Sequence, residues 1–504
     1  MIHTNLEEDG VLLAAIDMPG RTMNVFSFEL MDALDALMAR VEDDEAVRAV
    51  VLTSGKASFL AGADLVMVKG FCAEARSATH EAMFERCGRL GRQFVRLEAS
   101  AKPWVAAVNG LAMGGGLELA MACRERLVAD DPRIQLGLPE IRWGLLPGAG
   151  GTQRMPRLLG FERGLEMLLS GRSMAPAEAV TSGLFAEAVP GDKLLDAARA
   201  RARALMGQAH DPARKFAHLG QADVPAYSED TARALARQHG VDAETFDRYP
   251  AYSSIIDSVL KGARQPLAEA TATEMNEFLR LMFSPVAGRM VRTLFLERLR
   301  AERELAPPPG AQLTSVRHGA FGAGRQSWVQ ALARVKKLDV AEDASLPADT
   351  LVLNGSHHVL ARVLGDEVHA AAQETVAVLA PAGPYGRVME IVGQGDGEAA
   401  SLLAALAQRL WALPWPSGGQ ASELRALAGQ DLPAQAALAL AWVARSGAGE
   451  PAFYDVAACL AGVSPGWSGG PLAWFWDEQA QVALDTRARA NLEAVRPRLA
   501  RDFA

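Results

Sequence analysis

Apolar residues fill Val11–Ile16, Pro19-Gly20 turns the chain, and Phe28, Met31, Leu34, Met38 and Val41 then recur at helical spacing. The run Ala49–Thr53 is short and almost wholly apolar, the composition of a strand in a sheet covered on both faces. Strand, turn, helix and strand in this order predict an α/β layer. The same order returns further on: Val105–Val108 reads as a strand, Gly110–Gly116 as a glycine-rich turn, and Leu117–Cys123 as the start of a helix. Helical periodicity dominates from Phe161 to Met206, broken at Gly183-Leu-Phe185, and the first domain boundary is placed at residue 208.

Residues 209–247 turn polar and read as a connector carrying one helix around Thr231–Gln238. From Tyr252 to Arg303 the apolar period is helical again, through Ile255, Val259, Phe278, Leu281, Val291 and Leu294. Pro307-Pro-Pro-Gly310 ends that pattern, because proline removes a helix donor and clashes with the preceding turn. Beyond it, Thr350–Leu353, Glu374–Leu379 and Val388–Val392 are β-like runs, and the remainder is helical in pattern. Residues 311–504 are therefore expected to be mixed α/β followed by α.

Composition narrows the classes. With 504 residues, 50% of them hydrophobic and 22% charged, the chain is expected to hold two or three globular domains. A net charge of −9 with no basic stripe argues against a nucleic-acid partner, although a few arginines and a helix N-terminus suffice for an anionic ligand. The four cysteines, Cys72, Cys87, Cys123 and Cys459, form no CxxC pair and no disulfide framework, which fits a reducing cytoplasm. Glu7, Glu8 and Asp9 stand where an export signal would be basic. Apolar stretches such as Gln435–Val443 fall short of the about 20 residues a membrane span needs.

Three features carry candidate chemistry. Gly114-Gly115-Gly116 lies between a strand and a helix, where glycine lets backbone N–H groups approach a ligand oxygen and the helix N-terminus adds partial positive charge. Phe59-Leu-Ala-Gly-Ala-Asp64 is a second such turn, so N–H groups of Ala63 and Gly115 could clamp one thioester oxygen. Glu118 sits in the apolar run Leu117–Ala122, and Glu140 in Leu138-Pro-Glu-Ile141; two carboxylates suit acid and base work when burial splits their proton affinities. Taken singly, each glutamate also reads as a helix cap or a solvated charge, and Gly62 with Asp64 as an ordinary capped turn.

Lys102–Gly110 (KPWVAAVNG), Met113–Ala120 (MGGGLELA), Gly137–Glu140 (GLPE) and Gly144–Arg154 (GLLPGAGGTQR) together resemble the crotonase, or enoyl-CoA hydratase, superfamily. Phe59–Asp64 and Gly183–Pro190 match its other landmarks, so the resemblance covers about residues 5–205. It implies a crotonase (ββα spiral) domain over residues 1–208, an oxyanion hole made by the N–H groups of Ala63 and Gly115, and water bound and activated by Glu118 and Glu140. Ala61, Gly62, Asp64, Gly114, Gly116, Pro139 and Gly148 are implied to border an acyl-CoA substrate. The implied reaction is hydration of trans-2-enoyl-CoA in fatty-acid or related β-oxidation. It needs no cofactor and no metal, CoA being part of the substrate.

The domain order resembles the multifunctional fatty-acid oxidation α-subunits, in which a hydratase precedes a long helix and a 3-hydroxyacyl-CoA dehydrogenase. That likeness implies a linker and long connecting helix over 209–310, a degenerate Rossmann-like region over 311–412, and a small helical domain over 413–504. The departures are informative. Where G-x-G-x-x-G is needed stand Gly319-Ala-Phe-Gly322-Ala-Gly324, preceded by Arg317 and His318 instead of strand hydrophobes, with Asp339 at a tolerable distance for a ribose acid. No histidine occupies Ala377–Ala382, where the catalytic one would fall, and His357 and His358 read as surface-loop residues. NAD is therefore not expected to bind. The alternatives left open are a Δ3-Δ2-enoyl-CoA isomerase, a residual bifunctional hydratase/dehydrogenase, and a C-terminal half kept as a docking surface for a second copy or a thiolase-type β-subunit. Trp467, Trp474, Phe475 and Trp476 would serve either that surface or a core.

Overall fold

The computed structural model describes residues 1–75, 77–208, 229–322, 324–368, 370–371, 374–383, 385–393, 397–446, 450–478 and 482–503. Ala49–Ser54 and Trp104–Val108 are buried along their whole length and form the middle of a six-stranded sheet. Its order is Ile2–Leu6, Val11–Ile16, Ala49–Ser54, Trp104–Val108, Glu125–Ala129, Glu187–Val189. Only the first pair is antiparallel, and the polar strand IHTNL takes that edge. The all-apolar central runs follow from this topology, since helices cover both faces of a parallel sheet. Phe28–Asp43 is one of the helices, its N-terminus capped by the Ser27 hydroxyl accepting from the Leu30 N–H at 3.3 Å.

A second, three-stranded sheet is small but decides where the chemistry lies. Ala112–Met113 pairs in parallel with Leu136–Gly137, which pairs with Ser173–Met174. Gly114 follows directly on the first of the two parallel strands and Glu140 comes three residues after the second, so both lie beyond the same end of the pair.

The chain divides into two compact units, Met1–Gly288 and Arg289–Ala504, which moves the boundary expected at residue 208. Pro250–Gly262 and Leu267–Met282, expected as connector, belong to the first unit. Their apolar stripes, Ile255, Ile256 and Val259 on one and Ala270, Met275 and Leu279 on the other, are buried and require a core partner. The connector helix forms over Glu229–Gln238, while residues 209–228 lie outside the described residues.

In the second unit, residues 311–412 and 413–504 do not separate. A seven-stranded sheet runs Asp339–Glu342, Ser315–His318, Thr350–Leu353, His357–Val363, Val376–Leu379, Val388–Val392, Leu413–Pro416. One parallel βαβ unit runs from Ser315–His318 to Asp339–Glu342 across Gln326–Ala333, but three of the remaining five pairings are antiparallel. Two readings are corrected here. Arg317 and His318 do lie in a strand, and His357 and His358 start a strand instead of a loop, because pairing with sheet neighbours overrides their weak strand preference. Trp467 is buried, and Phe475 belongs to a core cluster in which Trp442 and Trp415 lie 4.9 and 5.5 Å from the Tyr454 ring and against which Trp474 and Trp476 pack half-buried. Among the described residues no helix is long and apolar enough to cross a membrane.

Candidate active site

Two glycine turns meet in the first unit. Gly62 (φ +94°) and Gly114 (φ +52°) adopt left-handed backbone that other residues rarely reach, and a Cβ on Gly116 would lie 2.3 Å from the Leu60 carbonyl oxygen. The Phe26 N–H donates to Gly62 O and the Asp64 N–H to Phe26 O, both at 2.8 Å. This pair of bonds straddles Ala63 and leaves its N–H unspent. Gly115 opens the helix Gly115–Ala122, so its N–H is one of the donors a helix cannot satisfy internally. Neither N–H has an acceptor among the described residues.

Glu118 lies on the first turn of that helix and is 2% exposed. Its Oε1 accepts from the Ala149 N–H at 2.8 Å and the Gly151 N–H at 2.7 Å. Burial pushes its pKa up to about 7, and the two N–H donors and Arg154 hold it from rising further. Glu140 begins the single 3₁₀ turn Glu140–Trp143, with Pro139 at its N-terminus and Tyr249 holding its far end by accepting from the Gly144 N–H at 2.8 Å and donating to Ile141 O. Its Oε1 faces Gly114, where an added Cβ would come within 2.6 Å, and its buried Oε2 has no hydrogen-bond partner among the described residues. Burial, then the charges of Glu118 and Glu274, raise its pKa well above the usual carboxylate range. Burial raises both, but two N–H donors support the ionised form of Glu118 while Oε2 of Glu140 has no such support.

The turn that supports Glu118 is itself held from behind. Glu274, fully buried on Leu267–Met282, accepts from the Gly150 N–H at 2.5 Å, the Thr152 N–H at 2.8 Å and the Thr152 hydroxyl at 2.5 Å. Arg154 donates to Ala149 O at 2.9 Å and, through Nε, to Glu98 at 3.0 Å, with both side chains buried. Tyr249, Glu274 and the Glu98–Arg154 pair were not singled out from the sequence. A signal for Glu274 exists: it falls on the buried stripe of its helix, next to Met275.

Not every implied residue turns toward this site. Asp64 caps Leu65–Glu74 by accepting from the Val66 N–H at 2.8 Å and pairs with Arg21 at 2.6 Å, so its carboxylate is committed to the fold and not to a ligand. Gly148 backs onto Phe278, 3.1 Å from where a Cβ would stand, and borders an apolar cavity of about 280 Å³ with Phe84, Val95, Thr271 and Met275. Ala61 spends its N–H on Asn24 O at 2.9 Å. Among the described residues no group of three His, Cys, Asp or Glu side chains is placed to hold a metal ion.

A family model described as enoyl-CoA hydratase/isomerase matches residues 7–261. Over 349 residues the chain is 34% identical to the fatty acid oxidation complex subunit alpha of Idiomarina loihiensis, which covers 67% of this chain and 48% of that protein. The protein of the same name from Shewanella halifaxensis is 35% identical over 298 residues, 59% of this chain and 41% of that one. The chain thus spans about half, or less, of the length of these relatives. Among solved structures it is similar to an enoyl-CoA hydratase from Bacillus anthracis (26% identity, TM-score 0.36, 60% of this chain and 96% of that one). It is also similar to human mitochondrial delta3-delta2-enoyl-CoA isomerase (22% identity, TM-score 0.43, 60% and 99%). With residues 7–261 of 504 inside the family match, the chain belongs to the enoyl-CoA hydratase/isomerase family.

Proposed function

We propose that the first unit adds water across the double bond of a 2-enoyl-CoA thioester to give the 3-hydroxyacyl-CoA, in fatty acid oxidation as the relatives' name suggests. One observation carries this reading: a buried Glu118 supported by two N–H donors and a half-buried Glu140 whose inner oxygen has none stand beside turns that present two unspent backbone N–H groups. The thioester oxygen accepts from Ala63 and Gly115, which stabilises the enolate that forms as water adds; each such donor is typically worth about 3 kcal/mol. Glu118, whose ionised form its two N–H donors favour, takes a proton from the water as the oxygen bonds to C3. Glu140 gives its proton to C2. The net change is one water added, with the proton balance between the two carboxylates restored through solvent. No cofactor takes part. A double-bond shift needs only one carboxylate as shuttle, so assay of a 3-enoyl-CoA by product analysis separates isomerisation from hydration.

The pH profile tests the role assignment. As pH falls through about 7, Glu118 takes up a proton and no longer serves as base; as pH rises further, Glu140 loses the proton it must donate. Turnover is expected to be bell-shaped with its maximum above neutral pH. A profile flat from pH 6 to 9, followed by loss of the enoyl ultraviolet absorbance, rejects the pairing.

The same reading assigns no NAD site to the second unit. Its glycine loop is already occupied by the protein: the Gly322 N–H donates to Asp349 Oδ1 at 3.0 Å, and Arg325 at the start of Gln326–Ala333 is clamped between Asp349 at 3.1 Å and Asp366 at 2.9 Å. Asp339 lies at the N-terminal end of its strand, paired with Arg317 at 2.5 Å, and not at the C-terminal end where a ribose would be read. A fluorescence titration with NADH is expected to show no saturation in the micromolar range; micromolar binding overturns this reading.

A further inference from the structure

Four consecutive N–H groups at the start of Gly151–Leu159 are divided strictly in alternation between two carboxylates. Ala149 and Gly151 donate to Glu118, and Gly150 and Thr152 to Glu274. Gly150 (φ +97°) makes this possible, since the left-handed residue points successive N–H groups to opposite sides of the turn. The two glutamates come from distant parts of the chain, and Glu274 lies beyond residues 7–261 of the family match. Neither can move along this turn without changing what the turn offers the other.

We infer that Glu274 is a positioning residue for the hydration proposed above: by gripping Gly150 and Thr152 it fixes the Ala149 and Gly151 N–H groups against Glu118. The inference rests on that reading of Glu118 and Glu140. Thr152 extends the grip, because its hydroxyl also meets Ser258 at 2.7 Å, and Gln153 donates to both hydroxyls at 3.0 Å.

The charged groups around Glu274 are Glu118, Glu140, Arg154, Glu98 and Arg157. Lys261 of Pro250–Gly262 is engaged with Asp257 and Glu277, and Arg86 of His80–Cys87 with Glu74. Burial and the neighbouring Glu118 push Glu274 itself up to about 8, so it carries charge only above neutral pH, and its replacement acts on the acid limb through the turn and on the base limb through charge. A slackened turn supports the Glu118 carboxylate less well, so Glu118 holds its proton to higher pH and the acid limb moves up. Glu140 loses a repelling neighbour, so it gives up its proton at lower pH and the base limb moves down.

The test is hydratase kinetics of the full chain carrying Glu274→Gln, whose amide cannot accept from both N–H groups and the hydroxyl. With 2-enoyl-CoA as substrate, kcat is expected to fall about 10- to 100-fold with KM within about 2-fold, as for a small misplacement of a reacting group. The pH profile is expected to narrow from both sides. A role confined to folding would lower the active fraction and leave the profile unchanged. Thr152→Val loosens the same grip while sparing both N–H bonds, and is expected to lower kcat a few-fold with the base limb displaced the same way. If Glu274→Gln does not fold, Thr152→Val decides. An unchanged profile in the folded variants overturns the inference, whereas a wild-type chain that does not hydrate 2-enoyl-CoA overturns the reading it rests on.

Discussion

Glu140→Gln is expected to lower hydratase kcat by about 10²- to 10⁴-fold, the usual worth of a positioned acid or base, with the fold unchanged. The amide matches the carboxyl in shape, so packing against Gly114 is kept while the transferable proton is lost. Glu118→Gln is expected to fall in the same range: its amide oxygen still accepts from Ala149 and Gly151, which preserves the turn, but the group can no longer take a proton from water. Because the residues act in one step, the double variant should be little slower than the worse single one. Loss of the 2-enoyl-CoA ultraviolet absorbance reads all three. Either single variant turning over at a near-normal rate sinks the proposed mechanism.

These two residues stood out in the sequence through the family resemblance, whose motifs are local runs. Glycines at 62, 114 and 116 answer to backbone geometry and close contact within a turn, and the Leu-Pro-Glu run carries the chain from a strand into the short turn that Glu140 opens. Val11–Ile16, Ala49–Ser54 and Val388–Val392 were legible for a similar reason, since a strand buried on both faces is largely apolar, the exception Glu390 being met by the Ser422 hydroxyl and the Glu423 N–H. Glu274 was not. Its burial shows in the stripe of its helix, but its role does not: two of its three partners are backbone N–H groups more than 120 positions earlier, and backbone donors leave no trace in residue type. Polar composition after residue 208 led to the expectation of a connector, but said nothing of whether the helices beyond it return to the same core. His357–Val363 escaped for the complementary reason: it alternates between half-buried or exposed and buried positions, and two histidines at its exposed start masked that period.

Arg154→Met is expected to destabilise the first unit by about 3–5 kcal/mol, because it takes from the buried Glu98 carboxylate the guanidinium that pairs with it at 2.9 Å. Ala149 O loses a donor in the same change. The double variant Glu98→Leu/Arg154→Met removes both charges and is expected to recover much of that loss, since well-packed apolar side chains replace buried ion pairs at little or no penalty. Denaturant-dependent hydrogen exchange in Trp104–Val108 reports the opening of this unit and measures all three variants on one scale. A double variant no more stable than Arg154→Met rejects the account. Turnover is expected to follow a different order. In both variants the Ala149 carbonyl is released, so the N–H that faces Glu118 is no longer fixed from behind, and kcat stays low even where stability returns. That separation is the consequence of where the ion pair sits: its net worth to folding is small, but one end of it grips the residue whose N–H sets the base.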